Sequence, residues 1–231
     1  MMTNPTVLFD LDGTLLDTAP DLSLALNNLR KARDLPPINL DILRPLSGAG
    51  ARHLLHCGFN LSEADENYHA MVEEFIQAYA NCLTENTTFF DGIRDLLKQL
   101  KKQSITWGIV TNKPESLALP LINAMSFPSK PSCIVCGDTL PQRKPHPAPL
   151  LYAAKILSQP PENCIYIGDS EYDIIAATAA GMKVITALYG YIPLDETPHN
   201  WQYDLCVDSA HELYQSIQTL TETIADENTT R

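Results

Sequence analysis

Apolar residues along this chain fall in short unbroken runs rather than in strict alternation with polar ones. TVLF (6–9), ITWGIV (105–110), CIVC (133–136), CIYI (164–167) and KVITAL (183–188) are near-continuously apolar, the pattern of strands buried on both faces. Between them the period lengthens. DGIRDLLKQLKKQ (91–103) places Ile93, Leu96, Leu97 and Leu100 at helical spacing, and APLLYAAKIL (148–157) does the same. DIIAATAAG (173–181) reads as a helix closed by Gly181, since a glycine past the last turn takes the left-handed conformation at no steric cost. Strand and helix in alternation, with the strands buried on both faces, predict an α/β fold built on an open parallel sheet.

The stretch 17–86 breaks that alternation. It holds no convincing strand, but helical patterns occur at 21–32, 40–46, 51–57 and 62–82, with Ser62 placed to cap the last and acids in its first turn. An all-helical insert after the first strand would lie over the carboxyl ends of the strands, where ligands bind in such sheets. The expected organisation is a core at 1–16 and 87–225, a helical cap at 17–86 and a flexible polar tail at 226–231. Within the insert, SGAGAR (47–52) reads either as a plain helix connection or as a substrate loop carrying Ser47 and Gly48.

Composition narrows the class. The 231 residues are 45% hydrophobic and 19% charged, enough for a sizeable core, and the net charge is −12. A field of that sign repels polyanions, so neither nucleic acid nor an anionic membrane is an expected partner, and a small anionic substrate would need a local cation. No apolar run approaches the length of a membrane span, and MMTNPTVLF lacks a basic stretch followed by an apolar one, so the cytoplasm is the expected address. Six scattered cysteines then read as reduced thiols. Cys133 and Cys136 could form a redox or zinc pair only on a turn or helix start, whereas Ile134 and Val135 favour a strand that sends the two sulfurs to opposite faces.

Chemistry enters at the strand ends. The first strand runs into Asp10, with Asp12 two residues on; the second ends at Thr111 and Asn112; the CIYI strand ends at Gly168 and Asp169, with Asp173 four residues further. In a parallel sheet these groups converge on one edge. Several carboxylates together oppose one another's ionisation unless a cation is present, and an all-oxygen set without histidine suits Mg²⁺. Each signal alone has a bland reading: a turn at Asp12, a cap at Ser170, a solvated lysine in QRKPHP (142–147). Their order along the chain favours the functional one.

The same residues identify a resemblance to the haloacid dehalogenase superfamily of phosphatases, in which DLDGT, IVTN, the lysine of RKPHP and GDSEYD match four motifs in order over essentially the whole chain. The fold this implies is a Rossmann-like parallel core with an inserted helical cap. It implies Asp10 as the nucleophile that becomes an aspartyl-phosphate, and Asp12 as acid and base, its backbone carbonyl also ligating Mg²⁺. Thr111 and the Asn112 backbone would bind the transferring phosphoryl group, Lys144 would neutralise charge, and Asp169 with Asp173 would position the metal. Gly13 and Thr14 would let the chain leave the strand without crowding the nucleophile.

Within the superfamily the layout is similar to phosphoglycolate phosphatases. ITWGIVTNKP (105–114) and YGYIPLDETPHNW (189–201) are similar to the N-acetylmuramic acid 6-phosphate phosphatases. Both substrates carry a carboxylate, for which Arg44 and Arg52 are candidate partners, or else surface arginines. His53, His56 and His146 are expected bystanders, and Trp201 and Tyr191 packing residues. The expected partner is a small phosphorylated metabolite, and the expected state is a monomer or homodimer. A sugar phosphomutase shares the core and cap and returns the phosphoryl group to substrate; the dehalogenase branch has no use for Asp12; a silent metabolite-binding protein is disfavoured because no catalytic position is missing.

Overall fold

The computed structural model describes residues 5–229. The chain begins with β1 (Thr6–Phe9), a short β2 (Leu16–Asp17), and four helices, α1 (Ala19–Lys31), α2 (Leu40–Leu43), α3 (Ala51–Phe59) and α4 (Tyr68–Ala80). It continues through β3 (Thr88–Phe89), α5 (Ile93–Lys102), β4 (Trp107–Val110), α6 (Glu115–Ala124), β5 (Ile134–Val135) and α7 (Ala148–Ile156). Then come β6 (Cys164–Gly168), α8 (Glu171–Ala179), β7 (Lys183–Ala187), β8 (Leu205–Val207) and α9 (Leu213–Thr229).

Six strands form one sheet in the order β5-β4-β1-β6-β7-β8, every pairing parallel. From β1 the chain works outward to β4 and β5 on one side, then returns to β6 and works outward on the other. The connections therefore diverge between β1 and β6, which opens a crevice at their carboxyl ends. Alternate residues feed two cores. Val7, Phe9, Ile165 and Ile167 pack on one face; Leu8, Cys164 and Tyr166 pack on the other. Cys136 and Cys133 fall on opposite faces in the same way, and all six cysteines are free thiols, as the strand reading of CIVC requires.

The helical segment joins the sheet through a two-stranded antiparallel ribbon, Leu16 opposite Phe89 and Asp17 opposite Thr88. Three local expectations are corrected there. Helix α4 starts at Tyr68, not at Ser62: the Ser62 N–H and hydroxyl both donate to Asp65 Oδ2, closing a turn that consumes the supposed cap. Helix α2 stops at Leu43: Arg44 keeps α angles, but Pro45 has no N–H to continue the ladder, and the chain tightens to 3₁₀ over Arg44–Ala49. Asp17, an acid at the entrance to the insert that reads from the sequence as a helix cap, does not cap α1. The N-cap is Thr18, and its hydroxyl is spent elsewhere.

The expected tail is helical as far as Thr229, because Leu213, Ile217, Leu220 and Ile224 bury one stripe of α9 against the core. Residues 1–4 of the expected core and 230–231 of the expected tail lie outside the described residues. Among the described residues no helix is long and apolar enough to cross a membrane.

Candidate active site

Asp10 leaves β1 with its N–H donating to Ile167 O at 2.9 Å, so the sheet ladder carries on one residue beyond the strand and fixes the carboxylate over the crevice. Lys144 reaches it from the loop before α7. Its Nζ lies 2.9 Å from Asp10 Oδ1 and 2.6 Å from Asp173 Oδ1, and donates to Tyr166 OH (2.9 Å) and Val110 O (3.0 Å). Lys144 is 3% exposed. Burial works against its charge, but Asp10 and Asp173 outweigh it and hold the ammonium above lysine's ordinary range.

Asp173 is satisfied on both oxygens: Lys144 and Tyr166 donate to Oδ1, and the Ser170 N–H and hydroxyl donate to Oδ2. The last pair, with Ser170 Oγ accepting from the Asp173 N–H, forms a capping box at the start of α8. Within GDSEYD, Ser170 caps α8, and Asp173, which completes the capping box, also anchors the lysine.

Asp169, at the end of β6, accepts from the Thr14 hydroxyl on Oδ1 and the Tyr191 N–H on Oδ2, each at 2.8 Å. Glycines make the room. A Cβ on Gly13, where φ is +84°, would lie 2.1 Å from Asp169 Oδ2, and one on Gly190 would lie 2.3 Å from Asp169 Cβ. A carboxylate oxygen from each of Asp10, Asp169 and Asp173 falls within 4.8 Å of the others. Burial, opposed by Lys144 and reinforced by Asp173, pushes the Asp10 carboxyl up to about 7. Burial, then the charges of Asp10 and Asp173, pushes Asp169 well above the carboxylate range.

These residues fit a divalent cation. The donors are all oxygen, they repel one another, and Asp10 Oδ1 is buried without an aligned hydrogen bond even though Lys144 stands at ion-pair distance.

Asp12 points away from that cluster. Its Oδ1 accepts from the Thr18 hydroxyl at 2.6 Å and from Lys113 Nζ at 2.9 Å. Thr111 is buried at the end of β4, its hydroxyl accepting from the Lys113 N–H. The Asn112 side chain clamps the lysine loop, with Nδ2 donating to Lys144 O and Oδ1 accepting from Lys144 N. Gly48 lies at the site: a Cβ there would be 3.9 Å from Asp169 Oδ2 and 3.0 Å from Tyr191 O. Ser47 is buried beside it and donates its hydroxyl back to Leu43 O.

The arginines do not gather at the carboxylates. Arg44 Nη1 pairs with Asp17 Oδ1 at 2.6 Å, and the Tyr191 hydroxyl donates to the same oxygen. The Arg52 side chain is 64% exposed, with Glu63 at 3.6 Å. The cluster contains no histidine, and His146 Nδ1 accepts from the Ala148 N–H at the start of α7.

Sequence reasoning missed Tyr166, Tyr191, Thr18, Lys113 and Tyr79. Tyr191 is more than packing, since its hydroxyl accepts from the Ala19 N–H and ties the start of α1 to the crevice. The lysine directly after IVTN was the one legible signal among them.

A family model described as haloacid dehalogenase-like hydrolase matches residues 7–187. A phosphoglycolate phosphatase of Xanthomonas campestris is 42% identical over 209 residues, covering 90% of this chain and 94% of its own. An N-acetylmuramic acid 6-phosphate phosphatase of Pseudomonas aeruginosa is 36% identical over 207 residues, covering 90% and 92%. Among solved structures, that of a predicted phosphoglycolate phosphatase from Haemophilus somnus 129pt superposes with a TM-score of 0.81 at 28% identity, covering 94% of this chain and 99% of that one.

Proposed function

The chain belongs to the haloacid dehalogenase-like hydrolases, and from that premise we propose that it is a phosphomonoesterase acting on a small, carboxylate-bearing metabolite phosphate. The observation that carries this reading is Asp10 held beside Lys144 at the rim of the β1/β6 crevice, a nucleophile paired with a buried cation in an otherwise acidic protein.

Asp10 attacks phosphorus in line as the ester oxygen departs, giving an aspartyl-phosphate. Asp12 gives the leaving alkoxide its proton, then removes one from the water that cleaves the acyl phosphate, returning Asp10 and free phosphate. Thr111 and the Asn112 backbone hold the phosphoryl oxygens, and Lys144 neutralises their charge. Mg²⁺ would be held by Asp10, Asp169 and Asp173 with the Asp12 backbone carbonyl, and would add positive charge at the phosphoryl oxygens. Asp173 holds Lys144 as well, through the 2.6 Å contact.

The helical segment 17–86 serves as a cap. Ser47 and Gly48 stand at the site already, and Arg44 and Arg52 would reach a substrate carboxylate only after leaving Asp17 and Glu63. The names of the relatives set the test: kcat/KM with Mg²⁺ for phosphoglycolate and for N-acetylmuramic acid 6-phosphate, within a panel of sugar phosphates and a hexose 1-phosphate. Release of inorganic phosphate from one of the two carboxylate esters in preference to the panel supports the reading. Release from none would end it, and isomerisation without release would make the chain a mutase.

A further inference from the structure

Lys113 is a second deeply buried lysine, and the phosphomonoesterase reading gives it no task. It lies three residues past the end of β4, and its Nζ donates to Asp12 Oδ1 and to the Tyr79 hydroxyl, both at 2.9 Å. The same nitrogen lies 4.5 Å from the centre of the Tyr79 ring. Tyr79 is 2% exposed and comes from α4, in the helical segment, so one ammonium joins that segment to the carboxylate beside the nucleophile. Taking an ammonium out of water costs several kcal/mol unless its charge and protons are answered; a carboxylate, a hydroxyl and an aromatic face answer these. The lysine is therefore held in one place rather than free to sample.

The consequence falls on Asp12. Thr18 and Lys113 both donate to Oδ1, and among the described residues no group donates to Oδ2. Two donors already occupy Oδ1, so a proton on Asp12 belongs on Oδ2, the oxygen to which no described residue donates. Without Lys113 the carboxyl could turn about its terminal torsion, which is soft for aspartate, and spread the proton over both positions.

We propose that Lys113, seated by Tyr79, is a positioning residue for Asp12 that reserves Oδ2 for proton exchange with the leaving group and the attacking water. This rests on the reading of Asp12 as acid and base. The contact with Tyr79 also makes that step depend on α4 resting against the core.

The test uses two esters that differ in their need for an acid. Phosphoglycolate has an alkoxide leaving group that must be protonated; p-nitrophenyl phosphate releases a phenolate that need not be. First-step rate constants are measured by rapid quench under single turnover with Mg²⁺ for wild type, Lys113→Met and Tyr79→Phe. For Lys113→Met the phosphoglycolate constant falls on the order of 10²-fold, while nitrophenolate release changes by less than about 3-fold. Tyr79→Phe keeps the ring and the fold, and moves the alkyl-to-aryl ratio in the same direction by about 5-fold. An unchanged ratio in both variants, or equal loss on both esters, overturns the proposal. N-Acetylmuramic acid 6-phosphate replaces phosphoglycolate as the alkyl ester where the wild type prefers it, and a wild-type protein inert towards p-nitrophenyl phosphate and towards both alkyl esters overturns the phosphomonoesterase reading and this inference with it.

Discussion

Thr87 donates both its backbone N–H (2.8 Å) and its hydroxyl (2.7 Å) to a single oxygen, Oδ2 of Asp21, while Asn86 donates its N–H and side-chain amide to the other. Asp21 sits in the first turn of α1 and is fully buried, so one carboxylate binds the outgoing connection of the helical segment to its returning one.

Asp21→Asn tests that tie. Whichever way round it sits, the amide turns an NH₂ towards the backbone N–H of Thr87 or of Asn86, which cannot accept, at a cost of about 1–3 kcal/mol. For a chain of this size that corresponds to a fall in Tm of about 2–4 °C per kcal/mol. Hydrogen exchange at residues 86–89 should rise in the same variant, with the amides of β6 unchanged.

Removing the proposed nucleophile should separate chemistry from folding. Asp10→Asn keeps the shape but cannot form an aspartyl-phosphate, so phosphate release should drop by about 10⁴-fold or more. The melting temperature should hold or rise, because one member of the carboxylate cluster no longer ionises. Phosphate release and a thermal melt on one preparation check both outcomes.

Lys144 is predicted to matter to the fold as much as to catalysis. Lys144→Met strands Asp10 and Asp173 in the interior without their cation, an arrangement that costs about 3–5 kcal/mol. Denaturant titration measures this directly. Adding Asp173→Asn should recover part of the stability while activity stays lost.

The carboxylate cluster also predicts a metal-dependent response to pH. Asp10 is raised to about 7 in the fold from its ordinary 3.8, so the metal-free native state holds a proton that the unfolded chain has released. The stability due to this group is present below about pH 4 and is lost as pH rises through about 7. Metal-free protein should therefore melt lower at pH 8 than at pH 5.5 as far as Asp10 governs it, and millimolar Mg²⁺ should raise Tm most at the higher pH. Differential scanning calorimetry at both pH values, with and without Mg²⁺, checks the sign.

Gly190→Ala should weaken that Mg²⁺ effect. The new methyl group would overlap Asp169, displacing a carboxylate that also accepts the Tyr191 N–H. The expected result is a Mg²⁺-induced Tm shift reduced to less than about half of wild type, with secondary structure retained.

Much of this arrangement was legible because it follows from continuous apolar runs that end in acid or hydroxyl groups. Asp10, Thr111 and Asp169 could be placed by noting where β1, β4 and β6 stop. The edge strand β8 was not legible, since Leu205 and Cys206 are only half-buried and polar neighbours mask the run. Helix α6 was hidden by Pro120 within it, whereas Leu213, Ile217, Leu220 and Ile224 of α9 do carry a helical period in the sequence. Residues whose part depends on contact across the chain were out of reach. Tyr166 looks like any apolar member of CIYI, and only the fold carries its hydroxyl to Lys144 and Asp173. Arg44 illustrates the reverse, since its charge suggested a ligand while Asp17 had already taken it.

The ribbon of β2 and β3 makes the helical segment leave and re-enter the sheet side by side. A stretch of chain whose ends already touch closes at little further entropic cost whatever its length, because that cost grows only with the logarithm of the loop. Lengthening, trimming or exchanging it for an unrelated sequence would leave the register of β1, β4 and β6 alone, and with it Asp10 and its lysine. Asp10 and Lys144 thereby keep their places when the stretch between Asp17 and Thr88 is exchanged, while a graft that is also to hold Asp12 must carry over the hydroxyl of Thr18 and the Tyr79 seat of Lys113.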